Sequence, residues 1–450
     1  MARRRLGHRE GRCLPRERRG PFHHRADADR RRRHDAGLLT VARASALSLL
    51  VDPAFRKLLP AIEVCFLGLF LHIVACSWVM AELTDSASMV ALVTTVTSLP
   101  PVLLSLLAGG LADVLDRRRV MILSQVFMFT VSLVLVAMAA LHVLTPAWVL
   151  VLAFLVTSGN ATLAPAWMAS LGDIAPREQL PEAISLHTIS ANLMKTLGPV
   201  LGGVILATAG STAAFVAGSL SYVPAIVALA LWRAPKREDA QGATILRAIS
   251  EGVRFIAEAK RVHPIVQRVF LFGFCSNGMI ALLPLVAREQ FAGEADIYGY
   301  LYGSIGIGAI SGGLLLSRLR AAFGIERVVT GATAVNAAGI GVLALTHQAP
   351  VGLAATYVCG ACWLVNLTLL NSTLQLSAPR RLVGRMVSMH LTFTYLGLTL
   401  GSWAWGIVAE QFSLQVALLA SGVAMAGTAL IAIWRPLPDV SGPAPDPARP

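Results

Sequence analysis

The sequence predicts an all-α integral membrane protein of twelve transmembrane helices arranged as two six-helix halves, and three observations carry that prediction. Only 14% of the 450 residues are charged while 55% are hydrophobic, against about 25% charged in an ordinary soluble domain. The apolar residues fall into successive runs of about 20, the length an α-helix needs to cross ~30 Å of hydrocarbon. The later runs repeat features of the earlier ones at an offset of 202 or 203 residues.

The chain begins with a basic extension, residues 1–54. Met1 to Ser45 holds 14 Arg against five acids, which accounts for most of the formal net charge of +13. So few core-forming residues predict disorder. Binding to nucleic acid or anionic lipid is one reading of such a segment. A start codon lying further in is the other, and the lack of motif or periodicity favours it. The apolar stretch from Ala44 to Val51 is too short for a secretory signal.

Twelve spans follow: 58–82, 89–112, 120–141, 147–169, 184–207, 212–232, 265–287, 298–316, 328–346, 351–373, 386–409 and 414–434. The runs are continuous rather than alternating, which excludes a closed β-barrel. They define an N-terminal half (55–233), a C-terminal half (265–435) and a Pro-rich tail (436–450). The intervening loop, 234–264, carries Ile245, Leu246, Ile249, Val253, Phe255 and Ile256 among charged residues, the pattern of a short amphipathic helix.

Basic residues set the orientation. Of the 38 Lys and Arg, 36 lie in the two termini and in alternate loops; Lys195 within a span and Arg288 in an opposite loop are the exceptions. This asymmetry predicts cytoplasmic termini in a multi-pass protein of the cell (plasma or inner) membrane. Trp78, Trp148, Trp232 and Trp434 near span ends read as an interfacial belt. The repeat places Gly109-Gly110-Leu111 on Gly312-Gly313-Leu314, Ala175-Pro176-Arg177 on Ala378-Pro379-Arg380, and Trp232-Arg233 on Trp434-Arg435. Six plus six helices in a parallel repeat describe a transporter whose substrate site lies between its halves.

The run from Gly109 to Arg119, Gly-Gly-Leu-Ala-Asp-Val-Leu-Asp-Arg-Arg-Arg, resembles the signature loop of the major facilitator superfamily. It departs from the family pattern at Val114, where Arg is frequent, and at Asp116, where Gly is common. Together with Gly198-Pro199-Val200-Leu201-Gly202-Gly203, Pro176 to Ala183, and Gly384-Arg385-Met386, it is most similar to the exporter branch that holds enterobactin exporters and transmembrane secretion effectors. The resemblance covers Phe55 to Arg435. It implies a conformational gate of Gly109, Gly110, Asp113, Arg117 and Arg118, in which Asp113 pairs with Arg117 and caps the eleventh helix in one state. An acid at a positive helix end is worth about 0.3 to 2 kcal/mol, a bias suited to a switch. Gly198, Pro199, Gly202 and Gly203 resemble the helix-five motif of antiporters, which implies export; the further upstream glycine spacing of that motif is absent. On the residues alone, Pro199 kinks its helix and the glycines admit a close partner.

Charges within spans are costly, so Glu63 and Lys195 become candidates for the substrate and proton path, facing one cavity and pairing there. Glu63 placed at the interface near Arg56 and Lys57 is the alternative. Asn160, Asn192, Asn277, Asn366 and Asn371 are polar groups that line the cavity or join helices. His72 is nine residues from Glu63, roughly on the opposite face, so the two are not expected to form one relay.

Other chemistry is not expected. No Gly-Lys dipeptide occurs, which leaves no P-loop. Cys359 and Cys362 sit in an apolar helix with no second pair, so small buried side chains are the reading rather than a metal or redox site. The expectation is a non-enzymatic secondary transporter without cofactor or metal, monomeric in the bilayer, with no nucleic-acid partner. It exports a small organic molecule, drug or siderophore-like, against protons by alternating access. An importer or facilitator, and a transport-inactive scaffold that works through its basic tail, are the alternatives.

Overall fold

The computed structural model describes residues 52–114, 116–176, 179–233, 262–293, 295–377 and 383–438; within these, the side chains of 105–114, 181, 383–385 and 432–433 are not described. The basic extension, the amphipathic loop helix and most of the Pro-rich tail lie outside the described residues. Among those described there are twelve α-helices and one π-turn.

The first half holds α1 (Pro53–Leu83), α2 (Ala87–Val114), α3 (Arg117–Ala140), α4 (Pro146–Ile174), α5 (Leu180–Leu220) and α6 (Tyr222–Leu231). The second holds α7 (His263–Leu285), which runs into the π-turn Val286–Gln290, then α8 (Ala295–Phe323), α9 (Ile325–Leu345), α10 (Ala349–Leu376), α11 (Val383–Gln411) and α12 (Leu414–Trp434). Starts are set by local chemistry. Asp52 accepts hydrogen bonds from the Ala54 and Phe55 amides at 2.8 and 2.9 Å ahead of Pro53. Ser413 caps α12 in the same way through the Val416 amide at 3.1 Å. An acceptor at the N-cap followed by Pro at the first helical position satisfies amides that have no partner inside the helix.

The apolar stretch Glu182–Leu231 is 50 residues long, about 75 Å as one helix and more than twice a bilayer core. The chain breaks it at Gly210, whose φ of 81° and ψ of 175° belong to glycine's part of conformational space. Two spans result, 180–209 and 211–231, where the sequence predicts 184–207 and 212–232. Large apolar side chains stay exposed along the bundle, Leu123, Leu231, Leu314, Val423 and Leu430 among them, a surface that only lipid covers without penalty.

Helix pairing repeats after six helices. Within the first half α1 packs chiefly on α5, and α2 and α3 on α4; correspondingly α7 packs on α11 and α8 on α10, while α9 packs on both α10 and α12. The two halves meet chiefly through α2 against α11 and α5 against α8.

Two tryptophans leave the expected interfacial belt. Trp148 and Trp434 are exposed, but Trp78 and Trp232 are buried. The Trp78 indole N–H donates to Glu82 Oε1 at 2.6 Å and its ring stacks on Tyr298 of the other half at 5.7 Å. A helix end can face a neighbouring helix rather than lipid, and there the aromatic ring packs.

Candidate functional site

The halves close against each other at the end of the bundle where α1 turns into α2. Gly203 of α5 and Gly299 of α8 touch backbone to backbone: a Cβ on Gly203 would lie 2.1 Å from the Gly299 Cα. The same seam continues deeper, with Gly303 against Val200 and Gly306 against Thr196. On the other flank Gly406 of α11 accepts Ala91 and Ser88 of α2, and the Thr95 and Ser402 hydroxyls bond at 2.8 Å.

Charges of the second half clamp the α1–α2 turn from both sides. Arg288, in the π-turn, donates to the carbonyls of Ala81 and, at 3.4 Å, Thr84, and reaches Asp85 at 3.1 Å. Glu410 accepts from the Ser86 hydroxyl at 2.9 Å and the Ser88 amide at 3.0 Å. A cation thus meets the C-terminus of one helix and an anion the N-terminus of the next, both the favourable sense for the helix dipole.

The Ser88 amide and the Ser86 hydroxyl hold the Glu410 carboxyl below its ordinary 4.5. A lowered value in the closed form means that its contribution is complete above 4.5 and fades only as the pH falls beneath it. Labelling of Ser402→Cys by an impermeant thiol reagent is therefore expected to be flat from pH 8 to 5 on account of this group, to rise below 4.5, and to be raised throughout in Glu410→Gln.

Glu63 of α1 and His187 of α5 form a buried pair, with Oε1 2.8 Å from Nδ1. Trp167 of α4 places its indole nitrogen 3.2 Å from the same Nδ1. The indole N–H can only donate and needs a bare Nδ1, whereas a Glu63 carboxylate needs Nδ1 protonated. Both demands cannot be met together, so Glu63 and Trp167 compete for the one ring nitrogen, and the tautomer of His187 sets which of them it serves. The second carboxyl oxygen of Glu63 is buried without a hydrogen-bond partner.

This is not the pairing expected from the sequence. Lys195 is exposed, and among the described residues it has no ion-pair partner. Its α5 neighbour Asn192 is also exposed. Asn160 on α4 is half-buried with its Oδ1 unpartnered. Asn277 is buried on α7 and donates to the Leu398 carbonyl of α11 at 2.6 Å, an interhelical tie. Asn366 accepts from Thr333 at 3.3 Å, and Asn371 accepts from Gln375 at 3.0 Å. His72 lies in a separate network: Nδ1 bonds the Gly68 carbonyl at 2.9 Å, Nε2 meets the Ser132 hydroxyl, and Ser132 meets Ser219 at 2.5 Å.

His187 belongs to no motif and is not among the residues that the sequence marks for the path. An imidazole inside an otherwise apolar span was the available signal, the same one that singled out Lys195 eight residues later.

In the signature loop, Arg117 donates to the Ala169 carbonyl at 2.7 Å and pairs with Asp173 of α4 at 2.9 Å. Arg118 donates to the Leu229 and Ala230 carbonyls at the end of α6. Asp116, at the departure from the family pattern, caps α3 through the Arg119 amide at 3.3 Å. The side chains of Asp113 and Arg385 lie outside the described residues, as do the surroundings of Gly109, Gly110 and Gly384. In the helix-five motif, Gly198 packs on Phe70 and Gly202 on Leu71 and Val74 of α1, while Gly203 faces α8. Pro199 lies buried between them.

The model of the transmembrane secretion effector family matches residues 44–449. The chain belongs to this family of major facilitator transporters. This secretion-effector transporter is 25% identical over 383 residues to the multidrug efflux pump Tap of Mycolicibacterium fortuitum, a match covering 81% of the chain and 91% of the pump. It is 25% identical over 258 residues to the staphyloferrin A transporter of Staphylococcus aureus, covering 56% of the chain and 64% of that protein. Among solved structures, the inward-facing, unoccupied form of a bacterial homologue of the human lysosomal transporter Spinster superposes with a TM-score of 0.67 at 16% identity, covering 85% of this chain and 96% of that one. The nucleoside transporter NupG gives 0.69 at 16% identity, covering 87% and 99%. At these identities the structures speak for the fold alone. The chain is a membrane transporter of small molecules and not an enzyme.

Proposed function

We propose that the chain exports a small organic molecule in exchange for protons by alternating access. The observation that carries this reading is the Glu63–His187 pair, a buried carboxyl and imidazole that touch across α1 and α5 with Trp167 competing for the same Nδ1. Moving charge into such a site without a partner costs several kcal/mol, so gain or loss of a proton biases how α1, α4 and α5 pack. The curated relatives named as efflux pumps support the direction. The distribution of Lys and Arg supports cytoplasmic termini, which makes the closed end of the bundle the outer one and the described state inward-facing.

The test is substrate-panel transport in inverted vesicles with an imposed pH gradient, acid inside. Wild type is expected to accumulate substrate, and reversal of the gradient to reverse the movement. Glu63→Gln and His187→Asn at equal membrane abundance should lose at least tenfold of the gradient-driven rate while retaining downhill exchange. Undiminished gradient-driven transport in both would remove the pair from coupling; uptake only under the opposite gradient would make the chain an importer.

A further inference from the structure

Lys195 lies 15 residues from Leu180, where its span begins, and 15 from the Gly210 break, roughly 22 Å along the helix each way. A lysine near a helix end can extend its stem to the headgroups, but a four-carbon stem does not cover that distance. Exposure to hydrocarbon at such depth is strongly unfavourable for an ammonium. The side chain is exposed nonetheless, so the surface that it faces is water.

The faces of α5 say where that water is. Gly198 and Gly202 turn to α1, and Thr196, Val200 and Gly203 turn to α8. At about 100° per residue, Lys195 falls on the arc between these two contacts, and Ser185, Thr188 and Asn192, all exposed, fall on the same arc toward the α4–α5 end. Exposed Ile189, Leu193, Leu197 and Val204 occupy another arc, the one that suits lipid. The polar arc is therefore a strip lining the space between the halves, and its innermost member is a cation.

Three cations at span ends are engaged: Arg117 with Asp173, Arg268 with Glu326, and Arg288 with Asp85. Glu63, the partner expected from the sequence, is paired with His187. We propose that Lys195, with Asn192 and Thr188 beside it, is the subsite for an anionic group, carboxylate or sulfonate, of an amphiphilic organic substrate. The group enters as the anion and displaces water from the ammonium. Lipid headgroups are excluded by depth. This inference rests on the export reading and adds the substrate's charge to it.

A pair of dyes that share a xanthene skeleton and differ in charge tests the assignment. Cells expressing wild type are loaded with anionic fluorescein or cationic rhodamine 123 and the outflow of each is measured. Wild type is expected to favour fluorescein. Lys195→Ala should lower the fluorescein-to-rhodamine ratio at least tenfold, the size of one lost charge-assisted hydrogen bond, about 1.5 kcal/mol. Lys195→Arg should keep the ratio above one, and Lys195→Glu should invert it. Lys195→Cys, in a chain freed of its own cysteines, should react with an impermeant thiol reagent from the α4–α5 side, which verifies that a folded protein presents this position to water. A ratio unchanged in Lys195→Ala, or a Cys that does not react, overturns the subsite. A wild type exporting rhodamine alone overturns the anion assignment and leaves export standing, whereas one exporting neither dye overturns both.

Discussion

Replacing Gly203 by leucine is expected to abolish transport while leaving the protein in the membrane at normal abundance. Gly203 and Gly299 meet with nothing between their backbones: a Cβ on Gly203 would sit 2.1 Å from the Gly299 Cα, and one on Gly299 would sit 2.6 Å from the Gly203 Cα. Neither atom is the tip of a flexible side chain, so no rotamer change relieves the overlap and α5 must move away from α8. Overpacking of this kind costs about 1 to 3 kcal/mol, and each 1.4 kcal/mol shifts a two-state balance tenfold. The cost falls on the closed arrangement alone, because the pair belongs to different halves. The transporter is then held open at this end. Reactivity of Ser402→Cys, which the seal buries, should rise at least tenfold, and Gly203→Ala should give a smaller change of the same sign. Lost transport with unchanged Ser402→Cys reactivity would show that the contact serves assembly rather than gating.

Much of this seam was visible in the residues, and the reason is instructive. Apolar length and the placement of Lys and Arg are properties of single segments, so the spans emerge from the sequence with ends that differ by seven residues at most, and the gap between 207 and 212 brackets the break at Gly210. The small residues of α5 were equally plain as sites of close approach. Which helix approaches them was not, since Gly299 and Gly203 are 96 positions apart and only the packing of one half on the other joins them. The same limit explains Glu63. Its burial follows from its position in an apolar run, but the choice of His187 over Lys195 depends on the rotation of α5 about its own axis, and a rotation of 80° exchanges the two. Trp78 was assigned to the lipid interface because the sequence shows depth and not direction. The structure turns it onto Tyr298.

Arg288 is the outlier that the charge count exposed, one cation opposite 36 others, and its removal is expected to have the second-largest effect. Its side chain is 27% exposed while that of Asp85 is 99% exposed. An ion pair with so open a partner contributes little, so the work of Arg288 lies in its bonds to the Ala81 and Thr84 carbonyls, which have no successor amides in α1 to receive them. Hydrogen bonds to charged groups are worth about 1.5 to 3 kcal/mol, or roughly 10- to 100-fold in the balance of closed and open forms. Arg288→Ala should accordingly raise Ser402→Cys reactivity by at least tenfold and slow transport. Asp85→Ala should do neither beyond a factor of about two. Arg288→Lys should recover only part of the loss, because an ammonium lacks the planar fork that reaches two carbonyls and a carboxylate at once. Glu410 holds the same turn from the α2 side, through Ser86 and Ser88. Once Arg288 is gone that turn is already released, so Glu410→Gln added to Arg288→Ala should open the seal by less than the product of the two single effects. Strict multiplication would mean that the two charges act on independent parts of the closure, and the α1–α2 turn would not be a single clamped element.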